Sequence, residues 1–202
     1  MKPMEIERRS MEIIESELHV ELPADVKPIV KRVIHATADF SFAESLRFTP
    51  DAPARLRGLL TRGATVVTDT NMALSGINKA ALSKLGARAL CLMADEDVAA
   101  EAKAREITRA QVSMERALAL PGPKLFVCGN APTFLFPLIK KGPAEDVAAI
   151  GVPVGFVHVV EAKEALLASG IPCIVALGRR GGSNVAAAIV NALLYGIEGA
   201  RV

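Results

Sequence analysis

The sequence predicts an α/β protein built on a mostly parallel sheet flanked by helices, with an N-terminal helical arm. Two observations carry that expectation. From Thr65 onward, short apolar runs end in turn residues: "ATVVT", "ARALCLM", "KLFVCG", "VAAIGVP" and "PCIVALG". They are continuous rather than alternating, as strands buried on both faces of a parallel sheet are. Helical stretches separate most of them, so strand and helix alternate along the chain. With 202 residues, 51% of them hydrophobic and only 4% aromatic, the chain fits one domain with a sizeable aliphatic core.

Taken in order, the first sixty residues carry two helical patterns, "MEIERRSMEIIESEL" and "PADVKPIVKRVIHATAD", and no clear strand. Residues 1–60 are therefore read as the helical arm and 61–202 as the sheet core. "ATVVT" then runs into "TDTNM" and the helix "NKAALSKLG"; "ARALCLM" runs into "ADED" and the helices "DEDVAAEAKARE" and "RAQVSMERALAL". "KLFVCG" leads to "GNAPT" and the helix "PTFLFPLIKKG", "VAAIGVP" to "GVPVGF" and "VEAKEALLASG", and "PCIVALG" to "GRRGGSN" and "SNVAAAIVNALLYG". Open parallel sheets bind ligands beyond the carboxyl ends of their strands, so the polar, Gly-rich segments after each run are the candidate site.

Composition excludes several classes of function. A net charge of +2, with 24 basic and 22 acidic residues interspersed, leaves no footprint for nucleic acid or an anionic membrane. No run of about 18 uncharged apolar residues occurs, and the opening "MKPMEIERRSMEIIESE" is charged throughout, which points to the cytoplasm. Cys91, Cys128 and Cys173 lie far apart in apolar runs, with no C-x-x-C pair, and read as core residues in a reducing compartment.

In "GRRGGSN" a strand turns into a helix, the arrangement in which free backbone N–H groups hold an anion, and Arg179 and Arg180 can pair with its oxygens. The plainer alternative is a tight turn with Ser183 as helix N-cap. Neither a Walker loop nor a dinucleotide fingerprint is present. His35 sits where a helical pattern gives way to polar residues, with Arg32 three residues before it on the same helix face. Such a pair can fix an acidic ligand and move a proton; the alternative is a surface arginine beside a core histidine. There is no "GxSxG" and no histidine beside a cysteine, and His35 with Asp39 alone does not make a metal site. Asp69, Thr70 and Asn71 are turn and cap residues or ligand contacts, and Arg109 a helix-face charge or an anchor.

At these motifs the chain resembles the precorrin-8X methylmutase family of cobalamin biosynthesis. The resemblance rests on "VKRVIHATADF", "TDTNMALSGINK", "MADEDVAAEAK", "TRAQVSME", "GNAPTFLF", "IGVPVGFVHVVEAKEAL" and "GRRGGSNVAAAIVNALLYG", in that order from Val30 to Gly196. "HATADF" with "TDTNMALSGI" is more similar to the cobalt-dependent branch. The resemblance implies a Rossmann-like fold, a homodimer, and an isomerase moving a methyl group from C-11 to C-12 of a corrin precursor. It implies no organic cofactor, with any cobalt carried inside the substrate. It puts the catalytic histidine at His35 and substrate contacts at Ser10 and Arg32. The strand-end loops and "TRAQ" add Thr70, Asn71, Arg109, Asn130, Arg179, Gly181, Gly182 and Ser183 as expected binding residues. "EAK" and "NAPTF" stand where the family more often has "ESK" and "NAPTA". A corrinoid carrier without catalysis is the competing expectation; it would tolerate loss of His35.

Overall fold

The sheet consists of β1 (Leu46–Phe48), β2 (Thr65–Thr68), β3 (Arg88–Leu90), β4 (Lys124–Cys128), β5 (Val147–Gly151) and β6 (Cys173–Ala176), in the spatial order β1-β6-β5-β4-β2-β3. These come from a computed structural model that describes residues 3–200. All neighbours run parallel except β1, which pairs antiparallel with β6, Leu46 opposite Ala176. β1 corrects the reading of the first sixty residues as free of strands.

Alternation along the strands sorts the core into two layers. Val66, Leu125, Val127, Ala148, Ile150 and Ile174 face one layer of helices: α2 (Lys27–Thr37), α4 (Ala52–Thr61), α5 (Asn71–Gly76), α6 (Lys79–Lys84) and α11 (Ser183–Tyr195). Val67, Phe126, Cys128, Ala149, Cys173 and Val175 face the other: α8 (Arg109–Leu118), α9 (Leu135–Lys141) and α10 (Val159–Ala168). A one-turn α3 (Phe42–Ser45) precedes β1, and α7 (Glu96–Ala104) packs on α8 through Val98, Ala102 and Val112.

Part of the expected arm belongs to this core. Ile29, Val30, Val33 and Ile34, spaced as one helical face, are buried with α11. α1 (Pro3–Glu17) lies outside the sheet layers, contributing buried Ile14 while Ile6 and Ile13 stay exposed at 52% and 42%.

β2 leads to α5 on one face of the sheet, whereas its neighbour β4 leads through a 3-10 turn (Pro132–Phe134) to α9 on the other. Adjacent strands whose chains leave to opposite faces open a crevice at their carboxyl ends.

Candidate active site

At that crevice the floor is internal. The carboxylate of Asp69, the residue after β2, is fully buried and accepts the backbone N–H groups of Gly129 (2.9 Å), Asn130 (2.7 Å) and Ala131 (2.7 Å). Consecutive N–H groups converging in this way form a nest for an anion, and here the protein's own side chain fills it. Burial pushes the Asp69 carboxyl up from its ordinary range, against those three donors, which favour the charged form. The carboxylate thus fixes the loop after β4 rather than facing solvent.

The segment after β6 is held from below. Lys163, in α10, is fully buried, and its ammonium donates to the carbonyls of Gly178 (2.8 Å) and Arg180 (2.7 Å). Burial lowers its pKa to about 8. At Gly181, with φ +158°, a Cβ would fall 2.1 Å from the Val152 carbonyl oxygen, so the chain passes this point only without a side chain. Gly182 (φ +136°) occupies the N-cap of α11 and Ser183 the first helical position. Ser183 is therefore not the cap. Its hydroxyl hydrogen-bonds that of Thr70 at 2.8 Å, while Thr70 caps α5 by accepting from Ala73 N–H. Gly182 supplies no side-chain cap to α11, so the N–H groups of its first turn are not capped from that position.

Arg180 reaches across to the end of α2: its guanidinium donates to Asp39 Oδ2 at 2.7 Å and to the Ser41 hydroxyl. Together with Ser41, Arg180 holds the Asp39 carboxyl below its usual range. Leu177 N–H bonds the Ser45 carbonyl at 2.9 Å, so residues 39–45 lie at the same end of the sheet as the strand-end loops. His35 stands in the last turn of α2, exposed to solvent, rather than buried in the core.

Around this opening the surface is apolar and cationic. Met72, Val154, Phe156 and Val157 are exposed at 73%, 46%, 80% and 71%. The Arg179 guanidinium lies 5.3 Å from the Phe156 ring centroid. Arg109 opens α8, next to Thr108, whose hydroxyl donates to that of Thr133 beyond β4, and Asn71 and Asn130 are both exposed. The structure therefore gathers His35, Thr70, Asn71, Arg109, Asn130, Arg179, Gly181, Gly182 and Ser183 at one end of the sheet.

In the single chain Arg32 faces α1, and Ser10 faces the backbone of its own helix. The Arg32 guanidinium pairs with Glu7 of α1 at 2.6 Å and lies 5.2 Å from the Tyr195 ring. Tyr195 closes α11, which rises about 18 Å from Ser183. Ser10, half-buried, donates to the Ile6 carbonyl at 2.9 Å. Sequence reasoning took Asp69 for a turn or cap residue and passed over Lys163, whose one available signal was a lysine at an otherwise apolar position of "VEAKEALL". Among the described residues no cluster of three or more His, Cys, Asp and Glu side chains could hold a metal ion.

Comparison with known proteins agrees with this architecture. The cobalt-precorrin-8 methylmutase of Salmonella typhimurium is 49% identical over 168 residues, 83% of this chain and 80% of that protein. The Priestia megaterium protein of the same name is 41% identical over 197 residues, covering 96% and 88%. The crystal structure of precorrin-8X methyl mutase from Thermus thermophilus superposes with a TM-score of 0.88 at 35% identity, over 95% of each chain. The profile of the precorrin-8X methylmutase family matches residues 5–196, and the chain belongs to that family.

Proposed function

We infer that this protein is an isomerase of cobalamin biosynthesis that moves the methyl group at C-11 of a corrin precursor to C-12. The cobalt-containing precursor, cobalt-precorrin-8, is the substrate we favour over precorrin-8X, since the relative at 49% identity carries the cobalt name. The structural observation carrying this reading is the strand-end opening, where exposed Met72, Val154, Phe156 and Val157 adjoin the first turn of α11 and the arginines beside it. A corrin precursor is a large apolar ring fringed by carboxylates. Such a ring lies against apolar side chains, and its acidic arms meet N–H groups and guanidinium forks.

A methyl shift between adjacent ring carbons needs no nucleophile and no organic cofactor. It needs a ring held in a reactive shape and one group to move a proton as the conjugation changes. We assign that proton to His35, on the helix end tied to the β6–α11 loop through Asp39 and Arg180. The loop residues Thr70, Asn71, Asn130, Gly181, Gly182 and Ser183, with Arg32, Arg109 and Arg179, are the proposed binding contacts. No described helix is long and apolar enough to cross a membrane, which fits an enzyme of the cytoplasm.

The proposed assembly is a homodimer. Ile6 and Ile13 fall two turns apart on the outer face of α1, a stripe that a second copy would cover, and Ser10 on the same helix would then reach the partner's opening. Light scattering measures the assembly. Removing residues 1–16 should weaken corrin binding while leaving the sheet folded. Incubation with cobalt-precorrin-8 tests the activity: the absorption spectrum should change with turnover. A corrinoid carrier would bind the ring without converting it.

A further inference from the structure

The loop after β6 carries two adjacent arginines, and their surroundings give them different tasks. The Arg179 guanidinium lies 5.3 Å from the Phe156 ring centroid, and among the described residues no carboxylate pairs with it. Arg180 is engaged within the protein: it donates to Asp39 Oδ2 at 2.7 Å and to the Ser41 hydroxyl. Its carbonyl accepts from the buried Lys163 ammonium at 2.7 Å. Arg180 therefore joins a point fixed from beneath the loop to the end of α2.

Asp39 is the matching anchor on α2. The helix closes at Ala38, in the left-handed conformation (φ 52°), whose N–H bonds the Ile34 carbonyl at 2.7 Å. The Thr37 hydroxyl donates to the Val33 carbonyl at 2.8 Å and accepts the Asp39 N–H at 3.2 Å, while Asp39 Oδ1 accepts the Ser41 N–H at 3.0 Å. Asp39 is thus tied to the last turn of α2 on one side and to Arg180 on the other, and His35 stands in that turn. Toward its first half α2 is held by α1, through Lys27, Lys31 and Arg32, across the groove between α1, α2 and α11.

Folding stability does not account for the Asp39–Arg180 pair. Its side chains are 33% and 63% exposed, and ion pairs at such exposure contribute little. Position is a stronger demand, because a reacting group misplaced by about 1 Å can lose about a hundredfold in rate. We propose that Asp39 and Arg180 are positioning residues for His35 in the methyl shift, and that of the two arginines only Arg179 holds a substrate carboxylate. This deepens, and rests on, the methylmutase reading.

Steady-state kinetics on cobalt-precorrin-8, with hydrogen exchange on the free full chain, test it. Arg180→Gln and Asp39→Asn should each lower kcat about tenfold to a hundredfold with KM nearly unchanged. Arg179→Gln should instead raise KM about tenfold with kcat kept. Arg180→Lys, which keeps a charged donor for Asp39, should recover most of the lost kcat. Amides of residues 34–38 should exchange faster in Arg180→Gln than in wild type, whatever the reaction. Unchanged kcat in Arg180→Gln, a rise in its KM matching that of Arg179→Gln, or unchanged exchange at residues 34–38 would each overturn the proposal. No turnover by wild type, with exchange still quickened in Arg180→Gln, would sink the methylmutase reading and the catalytic role with it, and keep the tie. Should Asp39→Asn fail to fold by circular dichroism, Arg180→Gln and Arg180→Lys decide in its place.

Discussion

The strand-end opening and the α1–α2–α11 groove are both cationic, but they hold their charge in different ways. At the opening, buried groups fix the backbone: Asp69 gathers three N–H groups, Lys163 two carbonyls, and Gly181 lets the loop pass close to Val152. In the groove, long side chains pair with each other at partial exposure, Arg32 with Glu7 and two lysines with Glu15. Dipoles fixed by buried supports stay aimed whether or not a ligand is present, which is the condition for electrostatic preorganisation. Half-exposed ion pairs are screened and rearrange readily. The first arrangement suits chemistry on a bound ring, and the second leaves side chains that can exchange their partners for an incoming carboxylate.

The largest expected effect separates the regions by activity. His35→Ala should reduce the methyl-shift rate about a hundred- to ten-thousand-fold with corrin binding retained. His35 is exposed, so the change removes no core packing. Single-turnover spectra of this variant beside His19→Ala and His158→Ala check it; equal rates for all three would remove His35 from the chemistry.

Next comes the backbone of the opening. Gly181→Val puts a Cβ 2.1 Å from the Val152 oxygen at a φ that β-branched residues avoid. It should cost about 3 kcal/mol in urea unfolding and abolish corrin binding. An unchanged unfolding midpoint would mean that the loop moves aside freely.

Lys163→Met should destabilise by about 1–3 kcal/mol, through two carbonyls left without donors, and it carries a pH signature. Burial lowers the folded pKa to about 8, while an unfolded lysine titrates near about 10.4. Between those values the unfolded chain holds a proton that the folded chain has shed, so this group's contribution to stability rises with pH. The gap between wild type and Lys163→Met should therefore widen from pH 8 to pH 10. A gap independent of pH would mean that Lys163 keeps an ordinary pKa.

The smallest effect on stability is expected in the groove. Arg32→Ala breaks a pair whose side chains are 20% and 31% exposed, which should cost about 0.2–1 kcal/mol of stability; an unchanged corrin affinity would remove Arg32 from the substrate site. The expected loss in corrin binding is about 1.5–3 kcal/mol, measured by titration, with Arg32 holding a substrate carboxylate.

Most of the sheet was legible because its strands are buried on both faces and read as continuous apolar runs. β1 was not. "LRF" is three residues at an edge, with Leu46 buried and Arg47 exposed, so it leaves no apolar run, and only its pairing with β6 makes it a strand. The strand-end loops were legible because turn residues follow each run. Asp69 and Lys163 were not, since their roles lie in contacts to residues 129–131 and 178–180 that no local pattern encodes. Arg32 and His35 share a helix face in sequence, yet Glu7 draws Arg32 toward α1.

The pairing of β1 with β6 also fixes an order of assembly. Residues 46–48 find their strand neighbour at 174–176, and α2 packs against α11, which begins at Ser183. At ribosomal speeds of about 5–20 residues per second, the N-terminal segment waits roughly 6–25 s for its partners to be made. Contacts this distant along the chain also slow folding of the free polypeptide. During synthesis the face of α2 that packs on α11 is uncovered, so Ile29, Val30, Val33 and Ile34 form an apolar surface for a chaperone to shield until α11 emerges from the ribosome.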